Sequence, residues 1–393
     1  MKLWEKKYQL NEQIENFTVG NDHILDQKLV KYDCQASIAH AKMLEKIGIL
    51  AKEESDKIIM TLQEIIKIDN NGCFIVEQHD EDCHTAIENY LVKKLGPIGK
   101  KIHTARSRND QVLTALRLYY KDEISCVNNL VESLIKSFVS FKEKHGQTEL
   151  PGYTHMRKAM PSTIGLWCDA FIDSMKDNKE LLNGIFKLID QSPLGTGAGY
   201  GLPIKLDRKM TAEILGFSKI QKNPIYVQNS RGKFESSILH GLNQIAIDLN
   251  KMSMDIMLFS MAEIGYMKLQ SELCTGSSIM PHKKNPDALE IIRANYHKTT
   301  SFEFEIKNIM ANLISGYNRD LQLTKEPVIK GFETTKQSLQ VMKIVLEHLE
   351  TDKKKCKKAM TEELYATQQV YNLVEQGIPF REAYQKISKK FEH

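Results

Sequence analysis

Proline is scarce in this sequence, and its few positions are uneven. Only ten of the 393 residues are proline, and none falls within 98–150, 225–280 or 328–378. A proline inside a helix costs about 3 kcal/mol, so these stretches permit long helices. No alternating pattern of useful length, typical of β-strands, competes with them. The absence therefore favours a helical chain.

The sequence also lacks the marks of a disulfide framework, a membrane span and a nucleic-acid binder. Its seven cysteines are scattered and never form C-x-x-C, which is typical of a reducing compartment. Lys and Arg number 54 against 50 Asp and Glu, a balance that does not indicate nucleic-acid binding. The polar start of the chain does not resemble a signal peptide, and the most apolar window, 256–261, is too short to span a bilayer. We expect a cytoplasmic protein with no membrane or nucleic-acid partner.

Hydrophobic periodicity predicts helices in the stretches that lack proline. Between Ile124 and Val139 the apolar residues recur every three or four positions, as on one face of a helix. The segment 332–349 has a similar pattern. The segment 242–264 is apolar around nearly its whole circumference, which predicts a helix buried in a bundle or against other subunits. The glycine-rich segment 192–201 and the segment 274–286 are predicted to be loops.

Polar residues concentrate in four segments. In the first, 103–111, two arginines stand beside Ser, Asn and Thr, a set that suits carboxylates because guanidinium groups bind them bidentately. A charged helix N-terminus is an equally good interpretation of that segment alone. In the second, 151–155, His155 follows a predicted Pro-Gly turn and could act as an acid or base, although a lone histidine is more often structural.

The other two polar segments lie in the second half of the chain. In 275–286 a glycine stands beside two serines, which predicts a mobile loop where Lys283 and backbone N–H groups could hold an oxyanion. Its spacing does not match that of a phosphate-binding loop. The segment 317–326 is rich in hydrogen-bond donors, and by itself it would be read as a solvated helix face.

A metal site is not predicted. Every residue of 79–84, His-Asp-Glu-Asp-Cys-His, is a potential ligand. Neighbouring ligands on one short stretch do not make a tetrahedral site without partners elsewhere, and neither C-x-x-C nor H-E-x-x-H supplies them.

In this order, the four segments resemble the fumarase/aspartase superfamily and, within it, the argininosuccinate lyases. Residues 277–286 are similar to the superfamily pattern S-S-x-M-P-x-K-x-N-P. The narrower resemblance rests on H-T-x-R-S-R-N-D-Q at 103–111, P-G-Y-T-H at 151–155, E-D-x-H at 81–84 and Y-N-R-D-x-Q-x-x-K-E at 317–326. It runs from Leu3-Trp4 to Gly377–Ala383.

The resemblance implies an all-α fold of three domains: an N-terminal helical domain at 1–106, a central bundle of long helices at 107–352 and a short C-terminal helical domain at 353–393. It further implies a homotetramer with a twenty-helix core, in which three subunits build each active site. No metal or organic cofactor is implied.

The resemblance also implies a reaction, the cleavage of argininosuccinate into arginine and fumarate by β-elimination. Ser277 would be the base, Lys283 and nearby backbone N–H groups would stabilise its alkoxide, and His155, polarised by Glu290, would be the acid or would orient it. The fumarate half would contact Ser107, Arg108, Asn109, Thr154 and Asn285. The remaining carboxylates and the amino-acid end would contact Tyr317, Gln322, Lys325 and Arg231, and Asp82, His84 and Asp26 would line the same pocket.

Three positions depart from the family pattern. Arg157 adds a charge two residues after His155, Ala105 stands where glycine is frequent, and Asp22 stands where many members have a serine. The alternatives are a lyase of the same superfamily acting on another substituted succinate and an inactive structural paralogue. The presence of Ser277 and His155 argues against the second alternative.

Overall fold

The structure, a computed structural model, describes residues 11–391. Leu3-Trp4, where the resemblance begins, lies outside that range. The described chain is predominantly helical, and its α-helices are α1 Glu12–Val19, α2 Asp22–Asp26, α3 Val30–Lys46, α4 Lys52–Asn70, α5 Cys83–Leu95, α6 Pro97–Lys100, α7 Arg108–His145, α8 Ile164–Ile189, α9 Arg208–Ile214, α10 Pro224–Asn229, α11 Lys233–Ser260, α12 Asp287–Ile309, α13 Lys325–Glu347, α14 Lys353–Ala359, α15 Ala366–Glu375 and α16 Phe380–Ser388. The all-α prediction is confirmed, and the three periodic segments lie mainly in α7, α11 and α13.

Short strands occur between the helices: β1 Glu149–Thr154, β2 Arg157–Thr163, β3 Gln191–Ser192, β4 Lys219–Ile220, β5 Met267–Lys268 and β6 Glu350–Thr351. β1 pairs antiparallel with β2, β3 parallel with β4 and β5 antiparallel with β6. The β1–β2 hairpin was not predicted, because Pro151, Gly152 and Pro161 interrupt its sequence pattern. Apart from this hairpin, each strand has only two residues.

The chain divides into two compact units. The first comprises the residues up to Cys126, Leu182–Gly241 and Thr300–Phe332, and the second comprises Val127–Leu181, Leu242–Thr299 and the residues from Glu333 onwards. These boundaries fall inside the five longest helices, α7, α8, α11, α12 and α13. The domains at 1–106, 107–352 and 353–393 therefore remain a prediction from the resemblance.

In the first unit, α3 packs against α4 through fully buried aliphatic side chains. Leu29 precedes α3, Leu44 lies near its end, Ile58 and Leu62 lie on α4, and all four are fully buried. Burying each such side chain contributes roughly 1.5–3 kcal/mol. This packing fixes α3, which carries Asp33, and the 3-10 turn before it, which follows Asp26.

In the second unit, aromatic side chains join α7 to α8. The rings of Phe138 and Phe171 stack with centroids 5.8 Å apart, and Trp167 meets Phe171 edge-on at 5.3 Å. The indole N–H of Trp167 donates to Asp255 Oδ2 on α11 at 2.9 Å. The apolar segment on α11 is mostly buried, but Met254 remains 43% exposed in the single chain. Within the described residues, no helix is both long and apolar enough to cross a membrane.

Candidate active site

Residues 107–110 form the start of α7. Ser107 Oγ accepts a hydrogen bond from the Asn109 N–H at 3.2 Å, and Asp110 Oδ1 accepts one from the Ser107 N–H at 3.1 Å. As in a capping box, these bonds satisfy donors that the first turn of a helix leaves free. The helix N-terminus interpretation of 103–111 is therefore confirmed as local structure. It does not exclude substrate binding, because Arg108 and Asn109 also face a cleft.

The glycine-rich loop holds this helix start in place. The N–H groups of Gly195 and Gly197 donate to Asp110 Oδ2 at 3.0 and 2.8 Å. Both glycines have positive φ angles, 85° and 61°, and a Cβ on Gly195 would lie 2.9 Å from Arg208 Cγ. Glycine is needed here for backbone conformation and for close approach. Since Asp110 also binds the Ser107 N–H, the loop positions the segment predicted to hold fumarate.

The cleft in the first unit has an empty volume of about 540 Å³. It brings together predicted residues from five separate stretches of sequence. They are Asp26, Asp82, His84, Arg108, Asn109, Arg231, Tyr317, Gln322 and Lys325, and the cleft is also lined by Asp22, Glu81, Val112 and Arg319. A larger cavity in the second unit, between the ends of α7 and α13, contains none of the predicted site residues.

Lys325, the first residue of α13, lies buried between two carboxylates. Its Nζ is 2.6 Å from Asp26 Oδ1 and 2.9 Å from Asp22 Oδ2, and the lysine side chain is only 2% exposed. Burial alone would lower the pKa of Lys325, but the charges of Asp26 and Asp22 outweigh it and raise that pKa. Burial raises the pKa of Asp22 to about 6, with Lys325 opposing the shift and Asp26 adding to it.

Arg108 is fixed at the edge of the cleft by the E-D-x-H segment. Its Nη1 donates to Glu81 Oε2 at 2.8 Å, its Nε lies 3.4 Å from Asp82 Oδ2, and its Nη2 donates to Thr85 Oγ1 at 2.6 Å. Asp82 also caps α5 by accepting the Thr85 N–H at 2.8 Å. Asp82 thus has a structural role that the sequence did not reveal, in addition to lining the cleft.

His84 pairs with Asp33 next to the cleft. The His84 Nδ1 lies 3.0 Å from Asp33 Oδ1, and both side chains are almost completely buried. Burial would lower the pKa of His84, but Asp33 outweighs it, so the pKa is raised; the pKa of Asp33 is lowered by His84 and Arg106 against the effect of burial. His84 Nε2 is buried and has no hydrogen-bond partner in the described structure. Because His84 lines the cleft, this N–H is suited to donate to a bound anion.

One group of possible metal ligands lies in the same place: Asp26, Cys83 and His84 have ligand atoms within 4.8 Å of one another. The Lys325 ammonium already binds Asp26, and His84 Nδ1 faces Asp33. A cation would have to displace that ammonium and a proton. The expectation that the protein needs no metal remains a prediction.

Arg231 and Tyr317 form the other wall of the cleft. The Arg231 guanidinium lies 5.6 Å from the centroid of the Tyr317 ring, within the range of a cation–π contact. Arg231 is 4% exposed, and its Nε has no hydrogen-bond partner in the described part of the chain. Gln322 donates its amide to the Thr18 carbonyl at 3.0 Å. Arg231 is therefore the cation of this wall with an unsatisfied buried donor.

Thr154 and His155 lie on the β1–β2 hairpin in the second unit. Thr154 pairs with Arg157, so His155 and Met156 form the two-residue turn, with φ angles of 52° and 59°. Two consecutive positive φ angles characterise a type I′ turn, which favours Asn and Gly. Pro151 and Gly152 lie inside β1, so the prediction of a Pro-Gly turn before the histidine is wrong. Strain of this kind, about 1–3 kcal/mol per residue, is concentrated at functional sites.

The serine loop lies between β5 and α12, also in the second unit. Thr275 and Asn285 exchange backbone hydrogen bonds of 3.0 and 2.8 Å, which close the loop at its base. Ser277 Oγ accepts the N–H groups of Met280 at 3.1 Å and Ile279 at 3.4 Å. Such donors would stabilise a negative charge on that oxygen.

The remaining predicted residues of this region are exposed. Lys283 lies on the serine loop, and Glu290 lies in the first turn of α12. In the chain between residues 11 and 391, neither His155 nor Glu290 makes a side-chain hydrogen bond or ion pair. The predicted pairing of the two therefore remains a prediction.

The assignment from sequence missed three residues that the structure places at the site. Glu81 binds Arg108, Asp33 binds His84, and Asp22 binds Lys325. Asp22 was noticed as a departure but was not assigned to the site. Its spacing of four from Asp26 would place both carboxylates on one face of a helix, a signal that was available.

The helical chain and the serine loop define the class of the protein, a lyase of the fumarase/aspartase type. A family described as "Lyase" matches residues 9–298. An argininosuccinate lyase from Thermotoga neapolitana is 54% identical over 390 residues, covering 99% of this chain and 98% of that protein. One from Phocaeicola vulgatus is 40% identical over 391 residues, covering 100% of this chain and 88% of that protein. The chain belongs to the argininosuccinate lyase family, as its motifs predicted.

Solved structures support the fold. An EDDS lyase in complex with formate superposes with a TM-score of 0.81 at 23% identity, covering 97% of this chain and 76% of that one. A class II fumarase from Schistosoma mansoni superposes with a TM-score of 0.80 at 16% identity, covering 98% of this chain and 92% of that one. At these identities the likeness shows the shared fold alone.

Proposed function

We propose that the protein is an argininosuccinate lyase, which reversibly eliminates fumarate from argininosuccinate to release L-arginine during arginine biosynthesis. The 54% identity to a curated enzyme of that name, over nearly the whole of both chains, carries the proposal. The cleft supports it, because fixed cationic donors from four stretches of sequence converge there, as a substrate with several carboxylates requires.

The elimination begins with removal of a proton from the carbon next to a carboxylate, giving an aci-carboxylate. We assign this step to Ser277. A serine hydroxyl is a weak base unless its alkoxide is stabilised, and the N–H groups of Ile279 and Met280 already point at its oxygen. Lys283 would add a positive charge when the loop closes over the substrate.

Departure of the arginine half requires a proton on the leaving nitrogen. We assign this proton to His155, oriented by Glu290. The fumarate half would be held by Ser107, Arg108, Asn109, Thr154 and Asn285, with His84 donating from below. The amino-acid end would meet Tyr317, Gln322, Lys325 and Arg231, with Asp26 and Asp82 holding the cations in place.

We further propose a homotetramer in which each active site combines segments of three subunits. Five long helices per chain would give a core of twenty helices. Met254 on α11 is apolar and 43% exposed, and packing in such a core would cover it. We place the enzyme in the cytoplasm, since all seven cysteines are free thiols. We propose that it needs no metal or organic cofactor.

The test is fumarate release from purified protein, followed by ultraviolet absorbance, with argininosuccinate, adenylosuccinate and aspartate as parallel substrates. We expect fumarate from argininosuccinate alone. Release from another of the three would keep the chemistry but overturn the substrate. No release from any of them would favour the inactive paralogue.

A further inference from the structure

Asp22 is an acidic group that the reaction described above does not use. It lies one helical turn before Asp26, so both carboxylates face Lys325. Asp26 Oδ2 accepts the backbone N–H of Cys83 at 3.2 Å, which ties it to the protein. Asp26 is fully buried, whereas the Asp22 side chain remains 14% exposed and lines the cleft. Of the two carboxylates bound to Lys325, Asp22 is the one that a ligand can reach.

The charges around Lys325 change what this lysine can bind. One ammonium is paired with two carboxylates, so the trio has a net charge of −1 when both are ionised. A substrate carboxylate placed there would meet two negative groups within 3 Å of the same ammonium, an unfavourable arrangement. A cationic group would be attracted instead.

Arg231 supplies the complementary charge. It is buried, lines the same cleft, and has a donor, Nε, that has no partner among the described residues. The positive charge of Arg231 opposes the rise in the pKa of the Asp22 carboxyl. An accessible carboxylate and a buried guanidinium in one cleft match the two charges of an α-amino acid.

We propose that Asp22 accepts the α-ammonium group of the arginine half of the substrate, while Arg231 binds its α-carboxylate. This assignment rests on the proposed function. Lys325, which the resemblance places at the amino-acid end, then acts there through Asp22, as a positioning residue that orients this carboxylate. The cleft thereby discriminates for a zwitterionic amino-acid end. Asp22 is thus a specificity-determining residue for the reaction.

Binding of the ammonium requires an ionised Asp22. Burial raises the pKa of Asp22 to about 6, so the carboxyl takes up a proton as the pH falls through that value. The charged groups that face it are Asp26 on its own helix, Lys325 on α13 and Arg231 before α11, and the other ionisable groups of the cleft are Glu81, Asp82, His84, Arg108, Tyr317 and Arg319. Affinity for arginine should therefore fall below pH 6 more steeply than affinity for an analogue without the amino group.

The experiment titrates the full-length protein by calorimetry with arginine and with 5-guanidinopentanoate, which is arginine without its α-amino group. The wild type should bind arginine at least about tenfold more tightly, as for a hydrogen bond between charged groups. In Asp22→Asn this preference should shrink to less than about threefold. Asp56→Asn, an exposed change on α4, should leave it intact.

Equal weakening of both ligands in Asp22→Asn would show that Asp22 only holds Lys325, and would overturn the proposal. A wild type that binds both ligands equally, or neither, would also overturn it. These titrations need no turnover. A protein that prefers arginine through Asp22 but releases no fumarate from argininosuccinate would refute the proposed reaction and not this assignment.

Discussion

Replacing Lys325 by methionine should destabilise the protein strongly. The lysine side chain is 2% exposed and is the only cation bound to Asp26 in the described structure, and it also binds Asp22. Methionine fills a similar volume but leaves two carboxylates together without a counter-charge. Removing one partner of a buried ion pair costs about 3–5 kcal/mol, and little solvent screening reduces that cost here.

The pH dependence of this cost has a definite sign. Burial already raises the pKa of Asp22 to about 6, and without Lys325, which opposes that shift, the pKa of Asp22 should rise further. A carboxyl whose pKa is raised on folding binds its proton more tightly in the folded state, so stability is lost as the pH rises. The deficit of Lys325→Met should be largest above pH 7. It should shrink on acidification by about 1.4 kcal/mol per pH unit wherever the variant binds one more proton than the wild type.

The assay is thermal unfolding of wild type and variant at pH 7.5 and pH 5, at one subunit concentration, because assembly contributes to stability. The control is Lys330→Met, the same substitution on the same helix, where an exposed lysine pairs with Glu326. That pair is worth about 0.3–0.5 kcal/mol. A loss for Lys325→Met as small as for Lys330→Met, or a deficit that grows towards pH 5, would refute the reasoning.

Three further predictions concern activity. Ser277→Ala should abolish fumarate release while leaving the elution volume in size-exclusion chromatography unchanged; retained turnover would refute Ser277 as the base. Asp33→Asn should lower the pKa of His84, since the largest effect opposing burial would be removed, and raise KM about tenfold at pH 7.5 with partial recovery as His84 regains its proton at lower pH; a KM that does not respond to pH would contradict this role. Arg157→Gln should preserve or raise activity, because the side chain is exposed at the start of β2, and a large loss of kcat/KM would show dependence on the arginine.

The long helices were predictable because their causes are local. The spacing of apolar residues and the lack of proline act within one segment, and both are visible in the sequence. α7 extends beyond its periodic part at both ends, to Arg108 and His145. Its first turn is set by backbone hydrogen bonds that the side chains of Ser107 and Asp110 accept, and these polar residues give no hydrophobic signal.

The β1–β2 hairpin shows where local reasoning fails. Its strands contain Pro151 and Pro161 at paired positions, and its turn places His155 and Met156 at positive φ angles that their side chains disfavour. Nothing in the local sequence predicts that conformation. It persists because the surrounding structure determines it, a situation common where a functional side chain must be presented.

The resemblance predicted the cationic residues of the cleft but missed the carboxylates that bind them. Motif resemblance identified Arg108, Lys325 and His84, but each is bound by a carboxylate that was not assigned to the site: Glu81, Asp22 or Asp33. The physical reason is general, because a charge cannot be buried without a partner, and the partner comes from whichever segment the fold brings near. Glu81 belongs to the E-D-x-H motif, but Asp22 and Asp33 lie outside the quoted motifs. The presence of Asp22 in place of a serine therefore leaves those motifs intact. It nevertheless alters the charge that a substrate meets, and specificity within such a family can therefore change while its catalytic residues do not.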